Sequence, residues 1–121
     1  MRSVILPLVL LATAGTANAH PKLVAATPAA NATVAKPARV ELRFSERLMP
    51  KFSGADLVMT GMKGMAHPPM KVSATAAVAP DGRTLVVTPK SPLGAGTYNV
   101  AWRVVSADTH RITGTHAFVV K

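Results

Sequence analysis

Val40, Leu42 and Phe44 alternate with Glu41 and Arg43, and Tyr98, Val100, Trp102 and Val104 alternate with Asn99, Ala101 and Arg103. A period of two puts every second side chain on one face of an extended backbone, so each run predicts a strand with one buried face. The second run follows Pro92, Gly94 and Gly96, residues that mark a turn, and reads as a central strand. Shorter apolar stretches predict further strands over 22–27, 54–60, 70–78, 84–88 and 113–120. Turns are expected at Pro28 to Asn31, at Pro80-Asp81-Gly82 and at Pro89 to Pro92. No stretch keeps a helical apolar period for three turns without a proline or glycine. Six or seven short strands therefore predict an all-β, antiparallel Greek-key β-barrel or sandwich.

The chain begins differently. Arg2, the apolar run from Val4 to Ala14 and the small residues Ala17-Asn18-Ala19 read as a secretory signal peptide over 1–19, cleaved after Ala19. The apolar run is too short to span a bilayer and contains Pro7, so an exported, soluble product starting at His20 is expected. Residues 20–121 then suffice for one hydrophobic core and form one expected domain. Removing Arg2 with the leader lowers the formal net charge from +9 to +8. The basic residues are scattered, with no basic helix or run, so a nucleic-acid footprint is poorly supported. The chain has no cysteine. Its stability must come from burial and hydrogen bonds, and every thiolate metal site is excluded, including the blue-copper electron-transfer centre.

Three groups of residues carry candidate chemistry. The stretch from Met59 to Met70 reads M-T-G-M-K-G-M-A-H-P-P-M, with four methionines and one histidine in twelve residues. Methionines often pack cores, but Gly61, Gly64 and Pro68-Pro69 break any helical stripe, so a loop displaying thioethers is expected. Thioether sulfur is a soft, neutral donor suited to Cu(I), and imidazole can complete such a shell. Met59, Met62, Met65, His67 and Met70 thus form a candidate Cu(I) cradle, and the same sulfurs are targets for oxidation. Met49 lies outside the cluster and is assigned to packing.

Cleavage after Ala19 would give His20 a free α-amine beside its imidazole, two nitrogens able to chelate one ion; both must shed protons to bind. The plain alternative is a frayed terminus. Asp108-Thr109-His110 lies between the last two strands, where an extended backbone would project residues i and i+2 to one side. A carboxylate and an imidazole there suit Cu(II), against the alternative of a turn-forming aspartate beside a surface histidine.

H-P-K-L-V from His20, F-S-E from Phe44 to Glu46, the methionine stretch, A-G-T-Y at 95–98 and W-R-V-V-S-A-D-T-H-R-I-T-G from Trp102 together resemble the CopC/PcoC family of periplasmic copper-resistance proteins. The resemblance runs over essentially the whole chain after residue 19. It implies a cupredoxin-like or immunoglobulin-like Greek-key barrel with copper sites near opposite ends. It further implies a Cu(II) site at the amine and ring of His20 with Asp108 and His110, and Glu46 as a weak ligand or outer-shell partner. The Cu(I) site would use Met59, Met62, Met65, His67 and Met70. The implied role is periplasmic copper binding, buffering, resistance and homeostasis, with chaperone-like handover to a CopD-type inner-membrane transporter or a multicopper oxidase, by a monomer that catalyses nothing. His116 shares the parity of Phe118 and Val120 and is assigned to the interior, as is Trp102.

One enzymatic alternative stands beside this. A terminal histidine with a second histidine on a β-sandwich also describes the copper site of a lytic polysaccharide monooxygenase. The chain holds one Trp, one Tyr and three Phe, mostly at inward strand positions, which leaves little for a polysaccharide-binding face.

Overall fold

The computed structural model describes residues 20–62 and 64–121, and the proposed leader lies outside them. Nine strands follow in chain order among the described residues: β1 (Leu23–Thr27), β2 (Thr33–Val34), β3 (Val40–Phe44), β4 (Gly54–Met62), β5 (Met65–Val72), β6 (Ala74–Val78), β7 (Thr84–Pro89), β8 (Gly96–Val105) and β9 (Arg111–Val120). Among the described residues a single 3-10 turn, at Pro50–Phe52, interrupts them. One sheet has the order β1-β3-β7-β6 and the other β2-β9-β8-β4-β5. The pairings are antiparallel except between β2 and β9. Non-sequential neighbours in both sheets give the expected Greek-key sandwich.

The alternating runs bury the faces they predict. Val40, Leu42 and Phe44 on one sheet meet Tyr98, Val100, Trp102 and Val104 on the other, all essentially inaccessible to solvent. Phe44 and Trp102 touch edge to face across the two sheets, with ring centroids 5.0 Å apart, the arrangement that ring quadrupoles favour. Trp102 also lies over Gly114, its cross-strand partner, where any Cβ would collide with the indole. His116 is 4% exposed, and its Nε2 lies 2.8 Å from the Pro28 carbonyl oxygen. Both residues belong to the interior, as their parity predicts.

Away from the candidate metal residues, two features differ from the sequence reading. The stretch predicted as one strand over 70–78 is two, β5 and β6, which lie in different sheets. Val72, Ala74, Ala76 and Val78 all pack on the core, so the apolar period runs unbroken through the corner at Ser73 and hides it. β2 was not predicted because two residues cannot display a period; it is held by backbone bonds from Asn31 N–H to the Ala117 oxygen and from Val119 N–H to the Ala32 oxygen.

Turns fix the ends of the sandwich. The Asp81 carboxylate accepts bonds from the Thr84 hydroxyl and from the amides of Arg83 and Thr84. The Thr84 hydroxyl, with these amides, holds the Asp81 carboxyl below the usual carboxylate range. Gly82 follows at φ +74, a conformation that glycine adopts without strain, and its carbonyl accepts from Leu48 N–H. β8 then spans the molecule. Its Val105 end faces the segment 45–48 and the turn 106–110, and its Gly96 end faces the β4–β5 hairpin. At about 3.3 Å per residue the two ends lie roughly 30 Å apart.

Candidate metal centres

At the Val105 end the backbone draws separate segments together. Ser45 N–H bonds to the Lys22 oxygen and Lys22 N–H to the Ser45 hydroxyl, which carries His20 to the edge of β3. Ala107 N–H bonds to the Arg47 oxygen, tying the turn after β8 to the same place. Within that turn Ser106 N–H bonds to the His110 oxygen and Thr109 N–H to the Ser106 oxygen. These bonds hold Thr109 at φ +73, a strained conformation for a β-branched residue.

The backbone here is therefore a tight turn rather than the extended segment expected, because Thr109 reverses its direction. Asp108 and His110 still meet, with Oδ2 3.1 Å from Nδ1. The Ser106 hydroxyl donates to the other carboxylate oxygen. That hydroxyl, and after it His110, hold the Asp108 carboxyl below the usual range against the opposing effect of desolvation. The His20 ring packs edge-on against His110, centroids 4.6 Å apart. Both imidazoles and the carboxylate are accessible to solvent.

The structure brings His20, His110 and Asp108 together in pairs. Among the described residues no three His, Cys, Asp or Glu side chains stand ready around one ion position. The geometry explains this: Asp108 and His110 are engaged with each other. A His110 that donates from Nδ1 to Asp108 keeps a lone pair on Nε2, the nitrogen a metal would take, and a carboxylate behind a ligating imidazole raises its basicity. Glu46 is half-buried just after β3 and makes no ion pair among the described residues. In the uncleaved chain the His20 nitrogen is an amide and offers no lone pair.

At the opposite end the methionine stretch is a hairpin, not the loop expected. β4 and β5 pair through Met59↔Met70, Gly61↔Ala66 and Met62↔Met65. Pro68 and Pro69 lie in β5, the edge strand, within the stretch 67–69 that has no ladder partners on β4, so their missing N–H groups break no ladder bond. Gly64, at φ +76, supplies the turn.

A bulge then sets which way the sulfurs face. Met59 opposes Tyr98, yet Gly61 opposes Thr97, so Thr60 is an extra residue in β4. Its hydroxyl donates to the Thr97 hydroxyl at 3.0 Å, and a Cβ on Gly61 would point at the same hydroxyl from 2.7 Å. The extra residue slips the side-chain alternation by one, so Met62, three residues after Met59, returns to the same face. Cross-strand pairing sets Met70 beside Met59 and Met65 beside Met62, although those two lie five residues apart on β5, because 67–69 have no ladder partners and stand opposite Thr60. Sequence alone hid this, since a spacing of three in a regular strand separates side chains to opposite faces.

His67 sits in the same hairpin. Its Nδ1 is 2.7 Å from the Pro68 carbonyl oxygen. Its Nε2 is shielded and has no hydrogen-bond partner. With the proton on Nδ1, Nε2 keeps its lone pair free. Met62, Met65 and Met70 are exposed, and Met59 packs partly on the core.

Among the described residues no helix is long and apolar enough to cross a membrane. Comparison with known proteins places the chain. A CopC domain model matches residues 23–121. Copper resistance protein C of Pseudomonas syringae pv. tomato is 58% identical over 105 residues, covering 87% of this chain and 83% of that protein. The crystal structure of PcoC, a methionine-rich copper resistance protein from Escherichia coli, superposes with a TM-score of 0.79 at 52% identity, covering 85% of this chain and all of that one. CopC from Methylosinus trichosporium OB3b superposes with a TM-score of 0.69 at 30% identity, covering 84% and 94%. With its two-sheet fold, its histidine end and its methionine hairpin, this chain belongs to the CopC-domain family of copper resistance proteins.

Proposed function

We propose that the protein is exported to the periplasm, cleaved after Ala19, and works as a domain of residues 20–121 that binds copper in both oxidation states at separate sites. Cu(II) is held by the new α-amine and the ring of His20 with His110 and Asp108, and Glu46 acts as a weak ligand or through the outer shell. Cu(I) is held by Met59, Met62, Met65, Met70 and Nε2 of His67. The observation that carries this reading is the separation of hard and soft donors: nitrogen and oxygen at one end of β8, sulfur at the other, each set matched to one oxidation state.

The protein then buffers copper and hands it on, to a CopD-type inner-membrane transporter or to a multicopper oxidase, without catalysing a reaction itself. Exposed thioethers support handover, because a flexible sulfur-rich surface can exchange its ligands one at a time with an acceptor. Phe44, Tyr98, Trp102 and Phe118 are buried, and Phe52 alone of the described aromatics is exposed. This counts against a polysaccharide-binding face and supports binding over oxygen chemistry.

The deciding experiment is copper titration of protein beginning at His20 beside protein with one extra residue before it. Cu(II) affinity is expected to fall by about 100-fold or more in the extended form, with Cu(I) affinity unchanged. Equal Cu(II) affinity in the two forms would remove the α-amine from the site.

A further inference from the structure

The sulfur donors differ sharply in accessibility. Met62, Met65 and Met70 are 47%, 74% and 57% exposed, whereas Met59 lies against the core, its methyl carbon 3.0 Å from the position of a Cβ on Gly96. Exposed thioether sulfur presents its lone pairs to any electrophilic oxidant in solution, and sulfur packed against the barrel does not.

We propose that Met62, Met65 and Met70 are an oxidation site at which a hydroperoxide converts thioether to sulfoxide and so switches off soft-metal binding, leaving the His20 end intact. This rests on the Cu(I) reading of the hairpin and adds a means of regulating it. The sulfur lone pair attacks one oxygen of hydrogen peroxide, forming the S–O bond as the O–O bond breaks. The departing hydroxide takes the proton from the new S–OH group and leaves as water. Sulfur loses two electrons, and the peroxide gains them.

A sulfoxide offers a hard oxygen and a sulfur depleted of electron density, neither of which suits Cu(I). Because the three exposed residues share a face with Met59, their oxidation removes most of the sulfur shell at once. His20, Asp108 and His110 contain no sulfur and lie roughly a β8 length away. Sulfoxides are reducible by methionine sulfoxide reductases, so the change is reversible. The reacting group and the metal-binding group are the same lone pairs, so a bound soft metal should shield the methionines in return.

The test uses purified metal-free protein, hydrogen peroxide and Ag(I), a soft ion that does not redox-cycle with peroxide. Peptide mass spectrometry should show Met62, Met65 and Met70 oxidising at least about fivefold faster than Met59 and Met49, and bound Ag(I) should slow all three. The oxidised protein should lose Ag(I) affinity by about tenfold or more, keep its Cu(II) affinity, and recover after reductase treatment. Equal oxidation rates at all five positions would overturn the proposal, and so would unchanged Ag(I) affinity after oxidation. Untreated protein that takes up no Ag(I) would instead sink the Cu(I) reading, and the proposal with it.

Discussion

At the Val105 end of β8 the proposed donors come from the segment before β1 and from a tight turn, and His20, His110 and Asp108 meet only in pairs. At the Gly96 end they come from paired strands, with Met59 opposite Met70 and Met62 opposite Met65. On the proposed reading the first site waits on a covalent event and a rearrangement: a peptide bond is cut to free the His20 amine, and Asp108 or His110 turns toward the ion. The second is set by strand register as soon as the sheet forms. A site made from a terminus can be absent in one processing state and present in the next. A site built into a hairpin is lost only if its register fails.

The comparison breaks most visibly if the hairpin register is disturbed. A Cβ at Gly61 would lie 2.7 Å from both the Met65 carbonyl oxygen and the Thr97 hydroxyl. Gly61→Val is therefore expected to force β4 and β5 apart, destabilising the fold by roughly 1–3 kcal/mol. Cu(I) affinity should drop by about tenfold or more, because the sulfurs no longer share a face. Cu(II) affinity should stay as it was, since none of its donors lies near the hairpin. Denaturant unfolding and separate titrations with the two ions measure all three. Parallel losses at both ends would show that the sites are not independent.

The histidine end is sharpened by paired changes at Asp108. Asp108→Ala removes the partner of His110, while Asp108→Asn keeps an oxygen that can accept from the imidazole but carries no charge. If Asp108 acts by orienting His110, Asn should retain most of the Cu(II) affinity that Ala loses, about tenfold or more. If Asp108 binds the ion directly, Asn should behave like Ala, for the neutral amide is a poor ligand. Spectroscopic titration of Cu(II) distinguishes the two, and neither variant should alter Cu(I) binding.

Much of this arrangement is legible along the chain, for reasons that also mark where the reading stops. Val40 to Phe44 and Tyr98 to Val104 declare their strands because each buries one face, and a period of two leaves its trace in residue type. The same logic places His116 and Trp102 inside. The corner at Ser73 is invisible because β5 and β6 bury the same parity on either side of it. Candidate donors are legible as residue types, since softness and charge belong to the side chain itself. Their convergence is not. That His110 meets both Asp108 and His20 depends on a left-handed Thr109 and on backbone bonds from Ser45 and Ala107 to distant segments. That the four methionines gather as two cross-strand pairs depends on irregular register on both sides of β4: Thr60 is extra against β8, and residues 67–69 of β5 stand opposite Thr60 alone.

The smallest expected effect tests whether the barrel between the two ends is a neutral scaffold. The Tyr98 hydroxyl donates to the Gly94 carbonyl at 2.7 Å, and Tyr98 is Met59's partner on β8. Burial raises its pKa above the ordinary phenol value, and the bond to Gly94 opposes this only in part. The folded state thus prefers the neutral phenol. The contribution is fully present below the ordinary value of about 10 and is lost as pH rises through the higher folded value. Tyr98→Phe should cost about 1 kcal/mol at neutral pH through the lost hydrogen bond, with both copper affinities unmoved. Above about pH 10 the wild-type protein should lose stability faster than the variant, so the gap between their unfolding midpoints closes. Lysine deprotonation acts equally on both proteins and cancels in that difference. A gap that stays constant through the alkaline range would show that Tyr98 ionises as readily folded as unfolded. A shift in Cu(I) affinity would show instead that its pairing with Met59 couples it to the proposed Cu(I) donors.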